Sequence, residues 1–170
     1  MRWAVIPLVA ICAACAPADG NHVTRTDIAV LDTLVGVACR LETREIIADL
    51  PAAATGSHFG IDMSERRLQR ARWPREKLCP TVRVARDATI RAALREDTQQ
   101  PSPWLGFKNR FEGAATLLRV SLPVYSEDGR RAVVYTSSTC PYRCGAGFYH
   151  ELVKTPEGWR IEHSEPAWIS

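Results

Sequence analysis

Four cysteines are the residues of this sequence with the clearest potential for chemistry. The chain has six cysteines, and two of them lie in its apolar N-terminal segment. The others are Cys39, Cys79, Cys140 and Cys144. In an oxidising compartment an even number of cysteines indicates disulfides, here two. The close spacing of the last two favours pairing them with each other, which leaves Cys39 for Cys79.

The segment from Cys140 to Gly147 has the pattern Cys-Pro-Tyr-Arg-Cys-Gly-Ala-Gly. Three residues separate its cysteines, whereas thioredoxin-like redox pairs have two. A zinc site requires further ligands at suitable spacing, and His150 and His163 form no recognised one. We therefore expect a disulfide-tied loop with a structural role. The alternative is a thiol or metal protein that uses Cys140 and Cys144.

A carboxylate and an imidazole near the C-terminus form a second candidate pair. We expect a turn at 156–158 that sets Thr155 opposite Trp159. This register sets Glu151 opposite His163 on the neighbouring strand. A carboxylate beside an imidazole can carry out acid/base catalysis, but such a pair can also simply stabilise two neighbouring strands. The pattern thus offers a small hydrolase-like enzyme as an alternative function.

Further side chains are candidates for contact with a partner. Arginines make residues 66–77 strongly basic, and Trp73 lies among them. Such a face can contact an envelope protein or an anionic surface polymer, although most arginine-rich helices are simply solvated. The candidate interaction residues are Arg66, Arg70, Trp73, Tyr142 and Arg143.

Motifs for common reactions are missing from the sequence. It contains no GxSxG, HExxH, Walker or dinucleotide-binding pattern. We therefore expect no catalytic residue, no metal and no cofactor. The formal charge of +3 is too small to name a ligand.

The first fifteen residues have the pattern of a signal peptide, with Arg2 followed by an apolar run that ends at Cys15. The run is shorter than the roughly 20 residues of a membrane-spanning helix. Ala13-Ala14-Cys15 resembles a lipoprotein signal, which predicts lipidation of Cys15 and a membrane anchor facing the periplasm or the cell surface. The alternative is ordinary cleavage after Ala16-Pro17-Ala18, which would give a soluble periplasmic protein. Export excludes nucleic acid as a sensible partner.

The remaining residues are enough for one domain. We expect a signal peptide over 1–15, a tether over 16–23 and a single domain over 24–170. The domain divides into a helical half over 24–97, a linker over 98–103 and a β half over 104–170. Apolar residues at three- and four-residue steps predict a helix over 24–50, with a capping box of Thr24 and Asp27 and a stop at Pro51. A second helix is expected from Ser64 to before Pro74, and a third after Asp87.

Apolar residues alternate with polar ones beyond Leu117, which predicts strands. We expect four, at 117–124, 131–137, 148–155 and 159–164, joined by short turns. Pro123 places the first at an edge, because proline cannot donate to a neighbouring strand. The predicted fold class is α+β, with N-terminal helices packed on a C-terminal antiparallel four-stranded β-meander.

The β half resembles a group of uncharacterised bacterial exported proteins. The resemblance rests on the Cys140–Gly147 loop and on these other residues: Trp104, Phe107, Ala132, Tyr135, Tyr149, Lys154, Gly158, Trp159, Trp168, Ile169 and Ser170. It implies a shared fold and no catalytic residue. The Leu122-Pro123-Val124 segment departs from the pattern of the group, where a glycine and an aromatic residue are usual.

The sequence predicts an exported, lipid-anchored envelope protein that acts as a non-catalytic binding or interaction module. The features behind this prediction are the N-terminal signal, the even number of exported cysteines and the missing catalytic motifs. The sequence gives no reaction, no named ligand and no oligomeric state.

Overall fold

A computed structural model describes residues 23–40, 44–48, 52, 54–63, 81–95, 104–141 and 144–170. Three helices lie in these ranges: α1 (Arg25–Ala38), α2 (Asp87–Arg95) and α3 (Trp104–Arg110). The strands are β1 (Arg44–Ala48), β2 (Ser57–His58), β3 (Ile61–Asp62), β4 (Val82–Ala85), β5 (Ala114–Val120), β6 (Val124–Tyr125), β7 (Arg131–Cys140), β8 (Cys144–Thr155) and β9 (Gly158–Ile169).

The predicted α+β fold, with N-terminal helices packed on a C-terminal antiparallel four-stranded β-meander, is wrong. The main sheet has seven strands of mixed direction, and two of them, β1 and β4, come from the half that was predicted to be helical. Its order is β4-β1-β5-β7-β8-β9, and the short β6 also pairs with β7. The pairs β5–β7, β7–β8 and β8–β9 are antiparallel, but β1 runs parallel to both β4 and β5. β2 and β3 form a separate two-stranded hairpin.

The predicted helix over 24–50 is also wrong in its second part. The capping box of Thr24 and Asp27 starts α1 as predicted, but the helix ends at Ala38 with Cys39 as its C-cap. Arg44–Ala48 is a strand instead. Its Ile46 and Ile47 are both buried, one in each of two core clusters on opposite faces of the sheet. A short apolar run of this kind fits a doubly covered strand as well as a helix.

The strand after Leu117 is not an edge strand. β5 ends at Val120, before Pro123, and it lies between β1 and β7. Pro123 therefore falls in the buried connection between β5 and β6, where no ladder hydrogen bond is required of it. The strand that was predicted at an edge thus lies inside the sheet, and Pro123 does not mark an edge.

Helices cover both faces of the sheet and create two main cores. On one face α1 packs Val30, Leu31 and Leu34 against residues that include Ile47, Val134 and Leu152. On the other face α2 and α3 pack side chains such as Ile90 and Phe107 over β1 and β5. A third, smaller cluster joins Ile61 and Met63 of the hairpin region to Val133 of β7. The hairpin therefore covers the part of this second face that α2 and α3 leave open.

Several predicted features lie outside the described residues. They are the signal peptide with Cys15, the tether, the helix from Ser64, the linker over 98–103, Cys79, and the interaction candidates Arg66, Arg70, Trp73, Tyr142 and Arg143. Within the described ranges, no helix is both long and apolar enough to cross a membrane.

Candidate functional site

The β2–β3 hairpin is fastened to the sheet by His58. Its Nδ1 lies 2.6 Å from Oε1 of Glu165 on β9, and its Nε2 lies 3.3 Å from the carbonyl oxygen of Thr55. The imidazole stacks on the ring of Tyr149 with a centroid distance of 3.3 Å and an interplanar angle of 15°. These contacts fix the imidazole between two strands of the sheet and the segment that leads into the hairpin.

An aromatic row continues from Tyr149 across the same face. Its ring lies 5.0 Å from that of Tyr135, whose hydroxyl accepts a hydrogen bond of 2.8 Å from Nε1 of Trp168. A side chain at Gly147 would collide with the Trp168 indole and would lie 2.8 Å from the Tyr135 hydroxyl. Only glycine therefore lets the indole lie flat on β8. Burial, with a smaller effect of Tyr135, raises the pKa of the Tyr149 phenol above its ordinary value.

The predicted pair of Glu151 and His163 occupies opposite positions on β8 and β9, as expected. The two side chains are nevertheless engaged with other groups. Arg131 donates a hydrogen bond of 3.0 Å to Oε1 of Glu151, which is buried, and another of 3.3 Å to the carbonyl oxygen of Phe59. His163 is exposed, and its ring lies 6.3 Å from that of Phe59. The carboxylate thus holds a guanidinium instead of orienting an imidazole.

A second imidazole, His150, lies on the opposite face of the sheet. Its Nε2 is 2.8 Å from the Thr136 hydroxyl and its Nδ1 is 2.8 Å from the Ser164 hydroxyl. Burial lowers the pKa of His150 from 6.5 to about 4. The ring is therefore neutral at physiological pH, and it is a weak base although a serine hydroxyl lies beside it.

A cleft of about 690 Å³ opens between the β2–β3 hairpin and the turn that joins β6 to β7. This volume lies within the roughly 300–1,000 Å³ that is typical of small-ligand sites. Its walls are formed by residues 60–62 of the hairpin, residues 124–128 of the turn region, and Arg131. The cleft therefore adjoins the Arg131–Glu151 ion pair, and His58 is not among its described lining residues.

Acidic groups dominate the charge of this cleft. Among the described residues that line it, Asp62, Glu127 and Asp128 are acidic, and the one cation, Arg131, is paired with Glu151. Hydrogen bonds from the Ser126 hydroxyl and from the backbone N–H of residue 130 lower the pKa of Asp128. That carboxylate therefore stays charged and holds the turn in place.

The predicted pairing of Cys140 with Cys144 is present in the structure. The two residues are opposite each other at the end of the β7–β8 hairpin, with a Cα–Cα distance of 5.3 Å. Cys39 is also disulfide-bonded, and its expected partner Cys79 lies outside the described residues. Over the parts of the chain that the structure describes, no three His, Cys, Asp or Glu residues are grouped so as to hold a metal ion.

Sequence reasoning missed the hairpin and, with it, His58, Glu165 and the cleft. No element was predicted between the stop at Pro51 and the helix from Ser64, because strands of two residues carry no usable periodicity. The available signal was the pair of glycines Gly56 and Gly60, which adopt φ values of 88° and 76°. Glycines at that spacing are typical of tight turns at both ends of a short hairpin.

Comparisons with protein-family models, with curated proteins and with solved structures gave no match to this chain.

Proposed function

We propose that this protein is an exported, lipid-anchored envelope protein and acts as a non-catalytic binding module. In this proposal the cleft between the β2–β3 hairpin and the β6–β7 turn receives the ligand. The observation that carries the proposal is the cleft itself, which has the size of a small-ligand site and is lined by charged residues.

The location rests on features of the sequence and on the disulfides. Cys140 with Cys144, and Cys39 with its own partner, are in the oxidised form. Disulfides persist in exported proteins and are rare in reducing compartments, which supports export. The N-terminal pattern of Arg2 followed by an apolar run that ends at Cys15 supports the same location. Lipidation at Cys15 would hold the domain on a membrane surface, because each buried acyl methylene contributes about 0.8 kcal/mol.

The titratable side chains are already bonded to or stacked on other groups of the protein, which supports binding over catalysis. A general base requires a pKa near the working pH and access to the proton it removes. Glu151 holds Arg131, and His58 is stacked on Tyr149 and bonded to Glu165. The hydrolase alternative with Glu151 and His163 is weakened because Arg131, and not the imidazole, is bonded to the carboxylate.

A site-specific crosslinking experiment tests the proposal in intact envelopes. A photo-crosslinking amino acid is placed at position 127, which is exposed and lines the cleft. The matched control carries it at position 112, another exposed glutamate, which precedes β5 at the opposite end of the sheet. We expect defined adducts at 127 and none at 112, and we expect Cys15→Ser to reduce them if anchoring brings the ligand near.

Reversing the charge of Glu127 is the second part of the crosslinking experiment. Glu127→Lys should abolish the adducts formed by a crosslinker at position 126, whereas Glu112→Lys should leave them unchanged. Equal crosslinking at 127 and 112, or none at either position, would show that the cleft is not a binding site and would overturn the proposal.

A further inference from the structure

The Cys140–Cys144 disulfide has features of a reversible redox site, which goes beyond the proposed binding function. It joins the last of ten aligned residue pairs of β7 and β8, which begin at Arg131 and Val153. The nine pairs before it hold the hairpin together without the bridge. Because the bridge closes a ring of only five residues, it removes little entropy from the unfolded chain. The domain can therefore remain folded when the bridge is open.

The bridge lies where the end of the β7–β8 hairpin meets solvent. Cys144 is exposed and Cys140 is half-buried. Attack by an incoming thiolate requires an approach to one sulfur, and Cys144 offers it. By contrast, Cys39 packs against the core cluster that α1 shares with the sheet. A reductant therefore reaches the bridge at the hairpin end before the one that holds Cys39.

The reduced form already has hydrogen-bond acceptors for both thiols. Sγ of Cys140 lies 3.1 Å from the carbonyl oxygen of Cys144, and Sγ of Cys144 lies 3.3 Å from that of Pro141. In the disulfide these sulfurs carry no proton, but after reduction each S–H can donate to its carbonyl. Carbonyl acceptors stabilise the thiol and not the thiolate, which favours a switch between two states over a fast catalytic thiol.

The bridge is also coupled to the C-terminal end of β9. The carbonyl of Gly145, next to Cys144, accepts a hydrogen bond of 3.0 Å from the backbone N–H of Ser170. A Cβ at Gly145 would lie 3.1 Å from ring carbons of Trp168, so the indole rests on this backbone. Any shift of the segment after Cys144 is therefore transmitted to Trp168 and Ser170.

We infer that Cys140–Cys144 is a reversible redox site, opened by a dithiol reductant, whose reduction loosens the end of β9 around Trp168. A thiolate of the reductant attacks Sγ of Cys144, the S–S bond breaks, and Cys140 leaves as a thiolate and takes up a proton. The second thiol of the reductant then attacks the mixed disulfide and frees Cys144. Two electrons pass to the protein, and the reductant becomes a disulfide.

The experiment uses the mature protein purified from the envelope and titrated with dithiothreitol. Alkylation followed by mass spectrometry of peptides measures which cysteines are free, and amide hydrogen exchange measures the opening of residues 167–170. We expect alkylation of Cys140 and Cys144 at a dithiothreitol concentration at least about tenfold below that which frees Cys39, because exposed disulfides are the more easily reduced. In the same range, exchange at 167–170 should rise several-fold while the domain stays folded.

A Cys140→Ser/Cys144→Ser double variant is the matched control. It should show the raised exchange at 167–170 without reductant, and dithiothreitol should add nothing until Cys39 is freed. Release of all cysteines in one transition with unfolding would overturn the inference. So would selective opening of the bridge that leaves exchange at 167–170 unchanged.

Discussion

His150 should make the stability of this domain fall in mild acid. Its imidazole lies between the hydroxyls of Thr136 and Ser164, and burial lowers its pKa from 6.5 to about 4. The unfolded chain, in which the ring is solvated, takes up the proton first as the pH falls. The unfolded state therefore binds more protons between pH 6.5 and pH 4, and the free energy of unfolding decreases through that window. Well above pH 6.5 the ring is neutral in both states, so this histidine no longer changes the free energy of unfolding.

The size of the effect follows from the pKa difference. Each unit corresponds to about 1.4 kcal/mol, so the largest loss, reached near pH 4, is about 3 kcal/mol. At pH 5 the expected loss relative to pH 8 is about 2 kcal/mol, because the unfolded ring is then almost fully protonated and the folded ring is not.

Urea denaturation of wild type and of His150→Gln at pH 8 and pH 5 measures the effect. Glutamine does not titrate, but its amide can still contact both hydroxyls. The free energy of unfolding of the wild type should therefore drop by about 2 kcal/mol more than that of the variant. His163→Gln, which removes an exposed imidazole, is the matched control and should behave like the wild type. Parallel pH dependences of the wild type and His150→Gln would refute the reasoning.

Three further substitutions test the packing of the fold. Gly147→Ala should lower the free energy of unfolding by about 2–3 kcal/mol in urea titrations, because its methyl group collides with Trp168. Gly36→Ala, in α1 with open space around the added methyl group, should raise the free energy of unfolding by about 1 kcal/mol and is the control for glycine replacement. Tyr125→Phe removes the hydrogen bond of 2.8 Å to buried Asp27 and should lower the melting temperature, at a cost of about 1–3 kcal/mol. An unchanged melting temperature of Tyr125→Phe would contradict the assigned role of that hydroxyl.

Patterns among residues close together in the sequence predicted those features of the fold that join near neighbours in the chain. The capping box of Thr24 and Asp27 and the Cys140–Cys144 pairing each involve residues within four positions of one another. The strands predicted at 131–137, 148–155 and 159–164 fall within β7, β8 and β9, although all three observed strands are longer, because alternation of apolar residues and turn sequences lie within the same stretch. The parallel pairing of β1 with β4 and β5 was not predicted, since it joins residues far apart in the chain and leaves no local pattern.

The pairing of β8 with β9 shows how two opposite residues can be predicted correctly although the predicted register is wrong near the turn. The structure sets Lys154, not Thr155, opposite Trp159, which shifts the predicted alignment by one residue near the turn. A bulge beyond Leu152 then restores it, so that Glu151 is opposite His163 after all. Bulges insert one extra residue into a strand and reverse which face the following side chains occupy. Alternation of residue types alone does not reveal such an insertion.

The cleft is formed by elements that are too short to leave a clear pattern in the sequence. Its walls are a two-residue strand and a turn, and Arg131 connects them to the sheet through the Phe59 carbonyl and buried Glu151. A buried carboxylate is stable only with a partner, so Glu151 fixes the guanidinium, and the guanidinium in turn fixes the hairpin. The shape of the proposed binding site is therefore set by contacts between distant parts of the chain. That is why the register expected across the turn at 156–158 predicted Glu151 as a notable residue but not the surface to which it contributes.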